Sequence, residues 1–132
     1  MRINHSSGSD FEQAIGYSRC VEIDEWVVVS GTTGYNYTTM SIPTCATEQT
    51  EQALENIELA LAKTSLNKED IIKVNYIYPN PEDFKECWSI LSNFFNEIRP
   101  AATMISAQLV QPEMKVEIEV WDKKTRKQSQ SQ

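Results

Sequence analysis

The chain has 132 residues, 23% of them charged, and a formal net charge of -7 at pH 7. That length suits one domain, which can bury a core without disulfide or metal staples. The acidic balance disfavours nucleic-acid binding, because such binding depends on neutralising phosphates. The sequence has neither a signal-peptide pattern nor a long apolar run, so it predicts a cytoplasmic protein with no membrane partner.

The first predicted elements are a flexible arm and a β-hairpin. Residues 1–13 lack any apolar period, so we expect a loose N-terminal arm there. Residues 19–23 alternate polar and apolar side chains, and residues 26–29 form a continuous apolar run, which is typical of a central strand. Asp24 and Glu25 stand between the two runs and indicate a tight turn.

Two amphipathic helices are predicted in the middle of the chain. After an irregular loop, apolar residues recur at helical spacing through residues 47–64. A strand follows at 71–78. The second helix begins at Asn80, a capping residue followed by a proline and two acids, and it continues until Arg99-Pro100 ends it.

The last two predicted strands, at 103–109 and 116–121, complete the order β-β-α-β-α-β-β. Two helices with one apolar stripe each fit on one face of a single mixed sheet, so we expect a two-layer α+β domain over residues 14–121. The other sheet face is left for water or a partner. Residues 122–132 hold four basic side chains and one acidic one, and they predict a disordered tail.

Most patterns of known catalytic sites are absent from the sequence. The only histidine, His5, lies in the predicted arm as a solvated side chain, and no phosphate-binding glycine loop or CxxC pair occurs, so we expect no metal and no cofactor. The widely spaced Cys20, Cys45 and Cys87 predict reduced, buried thiols. Trp88 points off the apolar stripe of its helix, which is typical of interface packing or of a platform for a planar ligand.

Glu117 and Glu119 leave two interpretations open. The two residues lie two positions apart on a predicted strand, so their side chains point to the same face of the sheet. A solvated strand face explains both carboxylates. The alternative is a carboxylate held in a cleft, where it accepts a proton or orients a water molecule.

Six short strings, spaced along the chain, form an ordered set. They are AIGYSR at 14–19, VVVSG at 27–31, QALENI at 52–57, FF at 94–95, RPA at 99–101 and VEIE at 116–119. Taken in order, these strings resemble the Rid/YjgF family of reactive intermediate deaminases, often called L-PSP endoribonucleases. No single string is diagnostic, and the resemblance depends on their order and spacing.

The resemblance implies a chorismate-mutase-like fold and a homotrimer whose sheets line a central barrel, with small-molecule clefts between neighbouring subunits. It makes Glu117 the catalytic candidate, as a residue that positions water. The family's cleft asparagine falls at Trp88, its cleft cysteine at Met104 and its cleft tyrosine at Ser18, next to Tyr17. The ligand-binding candidates are Tyr17, Ser18, Ser30, Gly31, Trp88, Ala102, Thr103 and Met104.

Position 102 departs from the pattern of the active deaminases. They carry an arginine two residues after the proline that corresponds to Pro100, and its planar guanidinium grips the carboxylate of a 2-imino acid. Here that residue is Ala102, while Arg99 lies before the proline, where the predicted helix ends. We therefore expect a divergent branch of the family without the usual 2-imino acid deaminase activity.

Three functions follow from these residues. The first is an enzyme that acts on a small neutral or cationic molecule, by hydrolysis of an imine or enamine or by tautomerisation. Glu117 would orient or deprotonate a water molecule or take a substrate proton, and the backbone near Ser30-Gly31 and the Thr103 hydroxyl would hold an oxygen atom. The second is a non-catalytic trimer that binds a metabolite or a partner protein through an apolar cleft of Tyr17, Trp88 and Met104. The third, a ribonuclease, is disfavoured by the acidic charge of the chain. We favour the first.

Overall fold

A computed structural model describes residues 1–125 and shows one six-stranded sheet with helices packed on one face. The elements, in chain order, are β1 (Arg2–His5), α1 (Asp10–Ile15), β2 (Cys20–Ile23), β3 (Trp26–Thr32), α2 (Ala46–Leu61), β4 (Ile71–Ile77), α3 (Pro81–Glu86), α4 (Trp88–Phe95), β5 (Ala101–Ile105) and β6 (Glu117–Lys123), with a 3-10 turn at Lys68–Asp70 before β4. The strand order is β1-β2-β3-β6-β4-β5. Among the strand pairs of the described residues, only β4–β5 is parallel. The predicted α+β class is confirmed.

The core lies between the sheet and the helices. Alternate residues of the central strands are fully buried on one face, among them Val29, Val74 and Val120. They pack against the apolar stripe of α2, which includes Leu54 and Ile57. This alternation fixes which side chains of β6 point away from the helices, and Glu117 and Glu119 are among them.

The other face of the sheet is not packed against α2, α3 or α4, and it carries exposed apolar side chains. Trp26 and Val28 of β3 are more than one-third exposed on this face, and Val28 lies opposite Trp121 of β6. Strand β5, at the sheet edge, is exposed on both faces along its whole length. We call the face that carries Trp26, Val28 and Trp121 the open sheet face.

The amino-terminal residues differ from the expected loose arm. β1 pairs with β2 from Arg2 opposite Ile23 to His5 opposite Cys20, and α1 begins at Asp10. Because β1 takes its hydrogen bonds from β2, its own sequence needs no apolar period. β1 lies before the predicted domain limit of 14, α1 crosses it, and β6 extends past the predicted limit of 121 to Lys123. The predicted disordered tail lies outside the described residues from position 126 onward.

The predicted second helix is divided at Cys87. Its N–H is shared between the carbonyls of Asp83 and Phe84, which closes α3, and α4 begins with the next residue. The strand predicted at 103–109 begins earlier, at Ala101, and ends at Ile105. Its register against β4 sets these limits, because Lys73 lies opposite Ala101 and Ile77 opposite Ile105.

Three side-chain expectations have mixed outcomes. Cys20 and Cys87 are buried free thiols, as predicted, but Cys45 is exposed because it lies just before the first turn of α2. His5 is not a solvated bystander. It is part-buried, with Nε2 at 3.2 Å from Glu22 Oε1, because β1 carries it against β2. No helix within residues 1–125 is long and apolar enough to cross a bilayer.

Candidate functional site

A cavity of about 470 Å³ lies between the end of β6, the segment before β2 and the loop that follows β3. Its charged groups are those of Arg19 and Glu117, and Ser9, Gly31 and Thr33 add neutral polar atoms. The rest of the wall is mainly aromatic rings and methionines, which include Phe11, Tyr17, Tyr35, Tyr37, Met40 and Met114. We call it the Glu117 cavity. An apolar pocket with a few convergent polar groups is typical of a small-molecule site.

Glu117 is the acidic group of this cavity, and it differs from Glu119 in its contacts. Glu119 accepts a hydrogen bond of 2.9 Å from Asn75 Nδ2 on β4. Glu117 has no hydrogen-bond or ion-pair partner among the residues that the structure describes. Burial raises the pKa of Glu117 above its usual value, the nearby Glu119 raises it further, and the charge of Arg19 lowers it. A carboxylate without protein partners in a cavity is free to exchange a proton with a ligand.

Gly31 makes room for that carboxylate. A Cβ at position 31 would lie 1.9 Å from Glu117 Oε2, which is far inside van der Waals contact. The carboxylate therefore rests on the backbone of β3, and only a residue without a side chain fits beneath it. Gly31 serves close approach here, because its φ is not in the left-handed region.

Arg19 is the cationic group of the cavity, and our sequence reasoning treated it only as a strand residue. Its backbone N–H bonds to His5 O at 2.8 Å and its carbonyl accepts from Ser30 N at 3.0 Å, so neighbouring strands hold it on both sides. Its Nη2 donates to Gly31 O at 2.7 Å and its Nη1 to Tyr37 Oη at 3.3 Å. The one feature of the sequence that could have pointed to Arg19 is the scarcity of positive charge, since residues 1–121 hold only eight basic side chains.

Tyr17, Ser18 and Ser30 are neighbours with different contacts. The Tyr17 ring lines the Glu117 cavity. Ser18 does not line it, and its Oγ accepts a hydrogen bond of 2.8 Å from Asn4 Nδ2. Ser30 Oγ donates to the Ser18 carbonyl at 2.6 Å, so it joins the two segments that border the cavity.

Trp88 and Ala102 line a different depression, of about 280 Å³, between α4 and the edge strand β5. Arg99 lines it too, with φ +54°, and its guanidinium folds back on Asn96 through Nε to the carbonyl at 3.0 Å and Nη2 to Oδ1 at 3.2 Å. The structure thus places a cation beside Ala102, but one that already has two acceptors. The exposed Trp88 ring stands edge-on to Phe84, as expected for a side chain off the apolar stripe.

The two groups of predicted site residues lie on opposite faces of the sheet. Ala102 is opposite the buried Val74, so its side chain is on the helix-covered face. Glu117 is opposite Ile77 on the far side of β4 and points to the open sheet face. Two strand spacings and three residues of offset separate them by about 14 Å. Within one chain they do not form a common site.

Thr103 and Met104 follow Ala102 along β5 and alternate between the two faces. Thr103 Oγ1 accepts a hydrogen bond of 2.8 Å from Lys73 Nζ, while Met104 is opposite Tyr76 and partly exposed. Within residues 1–125 no cluster of three or more histidine, cysteine or acidic side chains is arranged to hold a metal ion.

Sequence comparison gives a consistent set of relatives. The family described as Endoribonuclease L-PSP matches residues 8–122. A RutC family protein of Aquifex aeolicus is 28% identical over 106 residues, which are 79% of this chain and 85% of the relative. A 2-iminobutanoate/2-iminopropanoate deaminase of Dermatophagoides farinae is 28% identical over 109 residues, which are 81% of this chain and 85% of the relative.

Solved structures share the fold. Rv2704 from Mycobacterium tuberculosis, a member of the YjgF/YER057c/UK114 family, superposes with a TM-score of 0.85 at 34% identity and covers 93% of this chain and 99% of its own. The YjgF gene product of E. coli superposes with a TM-score of 0.79 at 22% identity, over 92% and 94% of the two chains, which supports the fold alone. The resemblance seen in the sequence is confirmed.

Proposed function

The chain belongs to the Endoribonuclease L-PSP family, and from that premise we propose that it is a homotrimeric enzyme that hydrolyses an imine or enamine, or tautomerises one, with Glu117 as the acid-base group. The observation that carries the proposal is the Glu117 carboxylate, which lies in a cavity over Gly31 without a hydrogen-bond partner in the described chain. A carboxylate on a solvated strand would instead be surrounded by water and have an ordinary pKa, whereas burial raises the pKa of Glu117.

The chemistry needs one group that both accepts and returns a proton. In imine hydrolysis, Glu117 accepts a proton from water as the water oxygen bonds to the imine carbon, and it returns that proton to the nitrogen, which gives a carbinolamine. Passage of the hydroxyl proton through Glu117 to the nitrogen then breaks the C–N bond. Ammonia leaves and a carbonyl compound remains. In a tautomerisation, the same carboxylate moves a proton from carbon to nitrogen or back.

A trimer is supported by the position of the site residues. Trp88 and Ala102 lie on one face of the sheet and Glu117 on the other, so they share a cleft only if they come from different subunits. The open sheet face carries Trp26, Val28 and Trp121, an apolar surface that association would bury. A cyclic assembly of three or more subunits joins two different surfaces of neighbouring subunits, as such a cleft requires.

The substrate is proposed to differ from that of the deaminase relative. Ala102 supplies no donor to a substrate carboxylate, and the Arg99 guanidinium is bonded to Asn96. A site built around an arginine fork loses its bidentate contact when the arginine is absent. We therefore propose that small 2-imino acids are not its substrates.

The proposal is tested with a panel of imines made in situ from amines and amino acids by oxidases. Loss of the imine is followed by trapping with semicarbazide. For any imine that the wild-type protein consumes, Glu117→Gln should lower the rate by a factor on the order of one hundred or more, with the trimer and melting temperature retained.

Glu119→Gln is the matched control, because it removes the same charge two residues away and keeps an oxygen that accepts from Asn75. Glu119→Gln should retain the rate within about threefold, because a partly solvated charge outside the cavity has only a small effect on the reaction. Full activity of Glu117→Gln would contradict the enzyme proposal. Tight binding of panel compounds without turnover would favour the alternative, a trimer that binds a metabolite or a partner protein.

A further inference from the structure

We propose that Arg19 binds the carboxylate of a ligand whose body is aromatic or branched and apolar, and that this ligand fills the Glu117 cavity. The inference rests on the proposed function, because it assigns a substrate class to the same cavity. It differs from recognition at position 102, because Arg19 lies before β2, on the opposite face of the sheet from Ala102.

The first observation is a buried positive charge without an ionic partner. Arg19 is 5% exposed, and none of the ion pairs within residues 1–125 includes it. Its acceptors are the neutral Gly31 carbonyl and Tyr37 hydroxyl. Its charge acts on Glu117 across the cavity, but no carboxylate is in direct contact with it within residues 1–125. A buried charge without a bonded counter-ion costs free energy, so an anion in the adjoining cavity would stabilise this site.

The second observation is that hydrogen-bonding capacity remains. A guanidinium has five N–H donors, and two of them serve Gly31 and Tyr37. The Nε of Arg19 is buried and has no partner in the described part of the chain. The contacts to Gly31 and Tyr37, together with the backbone bonds to His5 and Ser30, fix the guanidinium at the cavity wall before a ligand arrives.

The remaining wall selects the body of the ligand. Phe11, Tyr17 and Tyr35 present aromatic rings, and Met40 and Met114 present adaptable thioethers. A cavity of about 470 Å³ has room for a phenyl or branched alkyl group in addition to a carboxylate. Imines with three or four carbon atoms would leave most of this apolar wall without contact.

The test is calorimetric titration of the wild-type protein with phenylacetate and isovalerate, each compared with its neutral amide. We expect both carboxylates to bind and their amides to bind at least about tenfold more weakly, the usual worth of a hydrogen bond to a charged group. Arg19→Met should weaken carboxylate binding about tenfold or more and leave amide binding unchanged. Arg19→Lys should bind the carboxylates with an affinity between those of the wild type and Arg19→Met.

Lys85→Met is the matched control, because it removes one exposed positive charge that does not line the cavity. It should bind as the wild type does. Equal affinity for acid and amide, unchanged binding by Arg19→Met, or no binding of either carboxylate by the wild type would overturn the proposal. If Arg19→Met does not fold, the acid-amide comparison and Arg19→Lys decide.

Glu117→Gln separates this inference from the proposed function. The Gln side chain keeps the shape of the wall and removes a negative charge from the cavity, so phenylacetate should bind at least as tightly as in the wild type. Carboxylate binding through Arg19 without any imine turnover would leave the binding inference standing and refute the enzyme. Turnover that is lost in Glu117→Gln but unchanged in Arg19→Met would support the enzyme and refute carboxylate binding by Arg19.

Discussion

The Glu117 carboxylate lies against the backbone of Gly31, so closely that a Cβ at that position would come within 1.9 Å of Oε2 and 2.7 Å of Cδ. Gly34, three residues later, is also crowded, but its nearest neighbours are backbone atoms of Gln49 at 2.7 Å. A flexible side chain can move away from an added methyl group, and a helix backbone cannot. The two glycines therefore protect different properties, the position of a carboxylate and the packing of α2 on the sheet.

Gly31→Ala should displace the Glu117 carboxylate with little loss of stability. We expect a loss of activity close to that of Glu117→Gln and a change in the free energy of unfolding below about 1 kcal/mol, because only a side-chain end must move. Gly34→Ala, its matched control, should destabilise the protein by about 1–3 kcal/mol or more. Urea denaturation measures the free energy of unfolding of both variants. A greater loss of stability for Gly31→Ala than for Gly34→Ala would contradict the distinction between the two glycines.

The protein should be a trimer of about 45 kDa in solution, three times the chain mass of 15.1 kDa. Val28→Asp places a charge on the open sheet face and should shift the mass measured by light scattering toward one chain. Leu59→Asp places the same charge on an exposed position of α2 and should leave the trimer intact. A stable wild-type monomer at micromolar concentration would remove the basis for a cleft between subunits.

Hydrolysis of 2-iminopropionate and 2-iminobutyrate should proceed at the uncatalysed rate, because the methyl group of Ala102 donates no hydrogen bond. The double variant Ala102→Arg, Trp88→Asn supplies a guanidinium at position 102 and removes the large Trp88 ring from the same depression. It should raise the rate of hydrolysis above the uncatalysed rate. Trp88→Asn alone is the control and should not. A wild-type rate equal to that of an arginine-bearing relative would show that position 102 is dispensable.

Asp122 should make the protein less stable as the pH rises toward neutrality. Its carboxyl is fully buried, and neither oxygen has a hydrogen-bond partner within residues 1–125. Burial, and then the charge of the adjacent Asp70, raises the pKa of Asp122 to about 7. The folded state therefore holds a proton that the unfolded state releases near pH 4, so the contribution is complete below about pH 4 and is lost as the pH rises to about 7.

Asp122→Asn should flatten that dependence. Between about pH 5 and about pH 8 the wild type should lose about 2–3 kcal/mol of unfolding free energy that the variant does not lose. Urea denaturation at a fixed protein concentration measures the difference. Asp24→Asn, at an exposed turn position, should follow the wild type. Parallel pH profiles for the wild type and Asp122→Asn would show that Asp122 is not the group that titrates.

The sequence allowed prediction wherever a residue's role depends on its near neighbours along the chain. The apolar spacing through 47–64 predicted α2 within a few residues of Ala46–Leu61. The β1 strand was missed, because its hydrogen bonds come from β2. The strand predicted at 103–109 was displaced, because its register depends on contacts with β4. These partners are distant in sequence.

The residues of the candidate site show the same distinction between contacts with near neighbours in the sequence and contacts with distant ones. Glu117 was a candidate from the sequence, but its difference from Glu119 depends on Asn75, which comes from another strand. Arg19 was missed because the alternation of residues 19–23 assigns it to a strand and says nothing of its side chain. Tyr35 and Tyr37 belong to the loop after β3, which has no helix or strand of its own. Tertiary contacts select the members of the cavity.

The strand order has a consequence for protein synthesis. Within residues 1–125, β6 lies between β3 and β4 and is the only strand that connects the β1-β2-β3 part of the sheet to the β4-β5 part. Neither part can join the other until residues 117–123 have left the ribosome, however early the hairpin and α2 form. Pairing over such sequence distances is slow, and the unpaired edges of both parts are exposed while it is pending. A nascent chain should therefore need protection from aggregation until its last strand is inserted.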